Sequence, residues 1–368
     1  MQIPVRTLNP WNILRRVLFL IDAERTHHLA CFFLRVLVKL RRLKHFRNSH
    51  SPIIQMKDQG EHSEDSLYLL GLGFRSRVGL AAGFDKNAEL LAALPLFGFG
   101  FAEVGTITPQ PQSGHERPRL FRDPKSQTLF NRMGFNNVGA SQAAEHIRAL
   151  LPLLPRDFRV GVNIGKNKDT PLEDSHLDYV SCAQKLKDLA DYMVINVSSP
   201  NTPQLRSLQT IEALKPIIGA VAEELNQVSP GRTSPPLLLK LSPDISLSDL
   251  ETILIRGKDM GLSGWILTNT LPSTWKHHEK KLEGGISGGK ITQKSREVLE
   301  IARSLTSLPI ISAGGIMTLE EAKTRLTLGA DLIQIYTAWI YQGPFFPQHL
   351  TKGLPPASNT KPPEHRTP

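Results

Sequence analysis

Tyr192–Pro203 reads YMVINVSSPNTP, a run without polar alternation that breaks into a tight cluster of Asn, Ser, Pro and Thr. Continuous apolarity over so short a span, bounded by turn formers, marks a strand covered on both faces, as in a parallel sheet. Seven more such runs lie along the chain: Val78–Gly83, Phe101–Thr106, Phe158–Ile164, Leu237–Leu241, Gly264–Thr268, Pro309–Ala313 and Leu332–Tyr336. Helical patterns separate them at Ser141–Leu150, Ser175–Leu189, Thr210–Gln227, Ser246–Met260, Thr292–Thr306 and Thr318–Leu328. Asp174 and Ser246 stand where N-caps belong, and Gly261 and Gly329 where helices stop. Eight alternations predict an α/β fold, a (β/α)8 TIM barrel. A doubly wound sheet is the alternative, because a pattern does not show closure.

Two connections are too long for plain loops, Ile107–Asn137 and Leu271–Lys290. Excursions of that length at the carboxyl ends of barrel strands usually cover an active site. The polar residues gather at the same ends. AAGFDKN (Ala81–Asn87) follows the first strand, Thr106 the second and Asn163 the third. Asn196, Ser198, Ser199, Asn201 and Thr202 close the fourth, Lys240 interrupts the fifth, and Thr268, Asn269 and Thr270 end the sixth. Any one of these is explicable as turn chemistry. Six consecutive polar exits are not.

GGISGG (Gly284–Gly289), AGGI (Ala313–Ile316) and IYTA (Ile335–Ala338) fall where barrels hold a phosphate, with a helix starting at Thr318 after the Gly314–Gly315 pair. No GxGxxG follows a strand, which argues against a dinucleotide cradle. The paired histidines His27, His28, His277 and His278 lack carboxylates or cysteines at ligand spacing, so no metal is expected. A phosphate anchor beneath a ring of Asn, Thr and Lys points to FMN.

Composition bounds the rest. The 368 residues are 40% hydrophobic and 21% charged, ordinary globular usage, and two cysteines exclude a disulfide scaffold. Residues 1–50 carry ten Lys and Arg against two acids, so most of the net charge of +10 sits at one end. A nucleic-acid binder would spread that charge over the fold, and no nucleic-acid partner is expected. The head's apolar runs fall far short of the roughly 20 residues a bilayer core demands. It reads as two amphipathic helices. Leu29, Phe33, Val36, Leu37, Leu40 and Leu43 share one face, Arg35, Lys39 and Arg42 another, and Ile13, Leu14, Val17, Leu18 and Ile21 belong to a shorter helix before it. A membrane-surface element with its cations on anionic headgroups is one reading; a hairpin packed on its own domain and a mitochondrial presequence or nucleic-acid arm are the others.

AAGFDKN, NRMGFNN (Asn131–Asn137), GVNIGKNKDT, INVSSPNTPQLR, TNT, GGISG and AGGI followed by QIYTA resemble the dihydroorotate dehydrogenase family, and more narrowly its class 2, quinone-dependent branch. The resemblance runs from about Pro10 to about Pro347, and IDAERTHHLA (Ile21–Ala30) is similar to the start of the helical extension that forms that branch's quinone tunnel. Asp-Pro-Glu is more usual there than Asp-Ala-Glu. The resemblance implies a helical membrane and quinone-tunnel element over residues 1–50 and an FMN-binding barrel over 51–346. The tail, set at 347–368, is expected to be without structure because GLPPASNTKPPEHRTP from Gly353 onward is Pro-rich and polar. It implies one FMN per subunit, touched by Ala82, Gly83, Phe84, Asp85, Lys86, Thr106, Asn163, Asn196, Lys240, Thr268, Gly288, Gly315, Tyr336 and Thr337. Dihydroorotate would meet Lys86, Asn131, Arg132, Met133, Gly134, Phe135, Asn196, Asn201, Asn269 and Thr270, with Ser199 as the catalytic base.

The implied reaction is oxidation of dihydroorotate to orotate with a membrane quinone as electron acceptor, in pyrimidine biosynthesis. Asparagines suit pyrimidine amides, since each offers a donor and an acceptor. Lys86 would balance the substrate carboxylate and Lys240 the charge developing on the flavin. Serine is a weak base and needs a relay, for which Thr202 and a water screened by Phe135 stand ready. The expected setting is peripheral, on an anionic lipid surface at the cytoplasmic face of a bacterial cell membrane, with the mitochondrial inner membrane as alternative and a monomer consistent with the sequence. A class 1 enzyme would use a cysteine base, and neither Cys31 nor Cys182 lies at a strand end. An RNA-directed flavin barrel would need a basic mouth that the nearly neutral body lacks.

Overall fold

The computed structural model describes residues 10–49 and 67–356. Eight parallel strands close into a barrel in sequence order: β1 (Val78–Leu80), β2 (Phe101–Ile107), β3 (Arg159–Ile164), β4 (Tyr192–Asn196), β5 (Leu237–Leu241), β6 (Gly264–Leu267), β7 (Ile310–Ala313) and β8 (Leu332–Ile335). Closure is made by β8 against β1, Ile333 opposite Val78 and Ile335 opposite Leu80. The doubly wound alternative is thereby excluded.

Side-chain alternation along each strand sorts the interior by height. Phe101, Tyr192, Val194, Leu238, Ile266, Ile311 and Leu332 form an apolar plug, joined from below by Phe74 of a short hairpin, Leu67–Leu69 with Leu72–Phe74. Two residues further along the same strands the inward positions turn polar: Glu103, Asn196, Lys240, Thr268 and Gln334. The plug needs small neighbours. A Cβ on Gly161 would lie 2.1 Å from the Tyr192 ring. The outward positions pack under the helices in a second, larger core.

Two helices precede the barrel, α1 (Pro10–Leu18) and α2 (Ala23–Ser49). Six more alternate with strands: α3 (Ala140–Leu150), α4 (Ser175–Leu186), α5 (Ile211–Leu225), α6 (Leu247–Arg256), α7 (Thr292–Leu305) and α8 (Leu319–Thr327). A 3-10 turn, Leu91–Phe97, takes the place of the helix between β1 and β2. Ser246 caps α6 as expected, its hydroxyl accepting from Asp249 N–H at 3.1 Å. Asp174 precedes α4 but makes no side-chain cap. Two helices after β8 escape the periodicity reading, α9 (Thr337–Gln342) and α10 (Phe346–Gly353). The latter corrects the boundary of the expected tail: residues 347–353 are helical, with Leu350 fully buried, while 357–368 lie outside the described residues.

The two long excursions pair with each other. Leu120–Asp123, Thr128–Asn131, Leu271–His277 and Lys280–Gly288 form an antiparallel sheet in which Thr128–Asn131 lies against Gly285–Gly288. This lid holds Asn131 and Gly288, one from each excursion, in a fixed register.

The helical head docks on the barrel by a face other than the one its periodicity suggests. Cys31, Leu34 and Val38 are buried, whereas Leu29, Phe33, Val36, Leu40 and Leu43 stay exposed and Leu37 is half-buried. Arg35, read as a headgroup contact, pairs with Glu89 at 3.0 Å, and Arg42 donates to the Ala149 carbonyl at 3.4 Å. Both therefore tie α2 to the barrel. Lys39 is exposed. No helix among the described residues is long and apolar enough to cross a membrane.

Candidate active site

A cavity of about 1100 Å³, counting the solvent at its mouth, opens at the carboxyl ends of the strands beneath the lid. Its floor is one continuous polar network. Glu103, fully buried, accepts from Asn163 Nδ2 at 2.5 Å and Lys240 Nζ at 3.0 Å on one oxygen, and from Gln334 Nε2 at 2.7 Å on the other. Asn163 Oδ1 accepts from Thr106 Oγ1 at 2.5 Å and Asn196 Nδ2 at 3.1 Å. Asn196 Oδ1 passes the chain on to Ser198, and Asn269 Nδ2 donates to Ser198 Oγ at 2.9 Å. A buried network of this kind is rigid because each lost bond leaves a polar group without solvent.

The loop after β4 carries Ser199 and Asn201. Asn201 N–H donates to Ser199 Oγ at 3.2 Å, and Asn201 Nδ2 to Asn131 Oδ1 on the lid at 2.8 Å. Two buried amide oxygens on the cavity wall, Asn201 Oδ1 and Gln334 Oε1, have no protein partner. Buried acceptors are rarely left so, and both residues line the cavity, where a ligand can supply the missing donor.

The first strand's exit loop supplies a cation. Lys86 Nζ donates to the Gly83 carbonyl at 2.6 Å. Burial, reinforced by the Arg119 charge and opposed by Glu24 and Asp85, brings its ammonium down to about 8. Asp85 is pushed up to about 6 by burial, although Glu89 and Leu90 N–H donate to its two oxygens. It ties the loop down and does not line the cavity.

Glycines form the opposite wall. Gly288, Gly314 and Gly315 all have positive φ and line the cavity. A Cβ on Gly315 would lie 2.5 Å from Thr292 Cα, so only glycine lets these backbones meet. Behind them the fully buried Arg325 donates to the Gly314 and Thr292 carbonyls at 2.9 and 3.1 Å, its charge met by Glu321. The helix start lining the cavity is that of α9, through Thr337 and Ala338. This corrects the expectation for the helix after Gly314–Gly315: the first turn of α8 holds Glu320 and Glu321, and Thr318 Oγ1 already accepts from Glu321 N–H.

Of the residues expected to touch FMN, Ala82, Gly83, Lys86, Thr106, Asn196, Lys240, Thr268, Gly288, Gly315, Tyr336 and Thr337 line the cavity. Of those expected at dihydroorotate, Lys86, Asn131, Met133, Gly134, Phe135, Asn196, Asn201, Asn269 and Thr270 do so, as does Ser199. Four do not. Phe84 packs edge-on against His27 and Tyr336, Asp85 binds its own loop, Asn163 lies behind Thr106 and Asn196, and the Arg132 side chain is off the wall. Gln334 and Ser287 on the wall, and Glu103 beneath it, escape the sequence reading. A lone polar residue inside an apolar run would have found two of them: Glu103 in FAEVGTI and Gln334 in LIQI carry the signal that singled out Lys240. Among the described residues no group of three or more His, Cys, Asp or Glu is disposed to hold a metal ion.

The family profile described as Dihydroorotate dehydrogenase matches residues 66–357. A protein of Deinococcus radiodurans named dihydroorotate dehydrogenase (quinone) is 42% identical over 361 residues, covering 94% of this chain and 95% of its own. One of the same name from a Synechococcus species is 43% identical over 324 residues, 82% of this chain and 83% of its own. Among solved structures, DHODH of Eimeria tenella in complex with ferulenol is similar with a TM-score of 0.78 at 32% identity, covering 92% of this chain and 93% of its own.

Proposed function

The chain belongs to the dihydroorotate dehydrogenase family, and from that premise we infer that it oxidises dihydroorotate to orotate in pyrimidine biosynthesis, using FMN and passing the electrons to a quinone. The observation that carries this reading is the pair of orphaned amide oxygens, Asn201 Oδ1 and Gln334 Oε1, in a cavity that also holds Ser199, Lys240 and the glycine wall.

The residues present fit FMN. Gln334 Oε1 and the Lys240 ammonium suit the polar edge of a flavin, and the backbone at Gly288, Gly314 and Gly315 suits a phosphate, because no Cβ blocks its approach. FMN, when bound, supplies the acceptor for the hydride that leaves C6 of the substrate. The protein's part is the proton and the orientation. We place dihydroorotate under the lid, its amides on Asn131, Asn196, Asn201, Asn269 and Thr270 and its carboxylate on Lys86. Ser199 Oγ takes the C5 proton as the C5–C6 double bond forms, and its own hydroxyl proton passes towards Thr202. The Asn201 N–H on Ser199 Oγ favours that transfer, since it stabilises negative charge as it develops on the oxygen. Phe135 lines the cavity and screens the relay from bulk water.

Quinone reduction belongs to the helical head. Ile13, Leu14, Val17, Leu20, Phe32, Phe33, Leu40 and Leu43 are exposed on α1, α2 and the link between them, an apolar surface suited to a lipid interface. We place the protein peripherally on an anionic membrane face, held through this surface. His27 of α2 packs on Phe84, and Phe84 on Tyr336 of the cavity wall, and we take this line of rings as the inner end of the quinone's path.

The test is dihydroorotate oxidation by purified holoenzyme with a quinone, compared with fumarate and NAD as acceptors. Quinone should support turnover; preference for fumarate or NAD would overturn the acceptor assignment. Phe33→Asp should lower partition to anionic vesicles by about 10-fold or more, because burying a Phe side chain contributes about 1.5–3 kcal/mol. Unaltered sedimentation with vesicles would remove this face from the interface.

A further inference from the structure

We propose that His115 is a positioning residue for the dihydroorotate half-reaction, and that it couples α2 to the loop carrying Ser199. The proposal rests on the reading above for the identity of that half-reaction. His115 lies on the lid's approach, outside the cavity wall, and three contacts converge on it. Its ring Nε2 is 2.8 Å from the carbonyl oxygen of Asn201. A carbonyl only accepts, so Nε2 carries the proton and donates, in the neutral ring and the charged ring alike. Its backbone N–H donates to the Met133 carbonyl at 3.1 Å, within the loop expected to meet the substrate. Its own carbonyl accepts from Arg119 Nη1 at 2.8 Å.

Each contact reaches a different part of the site. Asn201 is the residue whose N–H holds Ser199 Oγ, whose Nδ2 holds Asn131, and whose Oδ1 is left open towards the cavity. Fixing its carbonyl fixes the Asn201–Thr202 peptide, which flanks the same Cα as the N–H on Ser199 and the side-chain amide, and so limits rotation of all three. The Met133 contact brings the second substrate loop into the same frame. The ring also lies close over Gly134, where a Cβ would come within 2.8 Å of it, so that loop is seated against the imidazole.

Arg119 extends the frame to the head. It is buried and donates to the Ser113 and His115 carbonyls, and its Nη2 and Nε both donate to Oε1 of Glu24 on α2, at 2.9 and 3.1 Å, with Nε 3.3 Å from Oε2. Burial alone would raise the Glu24 carboxyl, but the Arg119 hydrogen bond and charge, with Arg117 and His28 beside it, bring it below its ordinary value. The line Glu24, Arg119, His115, Asn201 therefore runs from the head to the base loop through direct bonds. No other element supplies a donor to the Asn201 carbonyl among the described contacts.

The experiment separates the half-reactions in full-length holoenzyme. Anaerobic flavin bleaching by dihydroorotate and reoxidation by a soluble quinone are timed in wild type, His115→Leu and His115→Gln. Leucine fills the space without a donor, and glutamine restores an amide N–H. His115→Leu should slow bleaching by about 10- to 100-fold, the effect of a small misplacement at a reacting centre, with reoxidation unchanged. His115→Gln should recover to within a few-fold of wild type. A third variant, Glu24→Gln, tests the strut from the other end and should slow bleaching without loss of bound flavin. Wild-type bleaching by His115→Leu would overturn the proposal. So would equal losses in leucine and glutamine variants, or equal losses in both half-reactions, since a merely structural role predicts those. Wild-type enzyme that dihydroorotate fails to bleach would overturn the functional reading itself.

Discussion

Glu103→Gln takes one negative charge out of the barrel interior and leaves the side chain's shape. The carboxylate is fully buried, its partner Lys240 is 5% exposed, and 3.0 Å separates them. Breaking a buried ion pair from one side costs about 3–5 kcal/mol, because the remaining charge stays buried without its counter-ion. With an unfolding entropy of about 2.1 cal/mol/K per residue over roughly 300 residues, each kcal/mol moves Tm by about 1.6 °C, so the variant should unfold about 5–8 °C lower. The new amide also faces the Gln334 amide, which must turn over to avoid donor against donor. That turn changes the group Gln334 offers the cavity, so the flavin spectrum should shift as well. Melting is followed in excess free FMN, because ligand occupancy itself moves Tm. Glu103→Gln with Lys240→Met should cost less than Glu103→Gln alone, since neither charge then remains. A single variant melting within about 1.5 °C of wild type, or a double variant losing the sum of the two singles, would refute the pairing argument.

Three further outcomes follow from the site. Ser199→Ala should keep FMN but slow its reduction by dihydroorotate about 10²- to 10⁴-fold, and near-normal reduction at neutral pH would move the base elsewhere. Gly315→Ala forces a side chain at φ +75° into Thr292 and should leave the purified protein short of FMN after dialysis; full retention would detach this glycine from the cradle. Burial, then the Lys86, His28 and Arg35 charges, push the His27 ring from 6.5 down to about 3, so it folds neutral. Its contribution is complete above about pH 6.5 and falls away towards pH 3 at up to about 1.4 kcal/mol per pH unit, as the unfolded ring takes up a proton the folded one refuses. Between pH 7 and pH 5 wild type should lose about 3 °C more in Tm than His27→Phe, and equal losses would show that this ring does not set the acid sensitivity.

Local sequence determined what depends on neighbours along the chain. Each apolar run is a strand because both of its faces are covered, and all eight, from Val78 to Ile335, stand in the barrel. The turn SSPNTP had to leave β4 as a polar loop, and Ser246 caps α6 because its hydroxyl needs only the N–H three residues on. Glycines at 314 and 315 announced a backbone approach before any partner was known. Tertiary structure alone decided what depends on distance through space. Glu103 and Lys240 meet across the barrel from strands 137 residues apart, so the lone lysine in LLLKL is half of a pair that periodicity cannot report. The excursions at 107–137 and 271–290 each fold as a hairpin of their own, but only the tertiary structure joins them into one lid, Thr128–Asn131 against Gly285–Gly288. The periodicity of α2 locates an apolar stripe but not which side the barrel takes. Cys31, Leu34 and Val38 take that contact, and in the same docked pose Arg35, Arg42 and Glu24 reach Glu89, Ala149 and Arg119, partners that only the folded barrel brings within range.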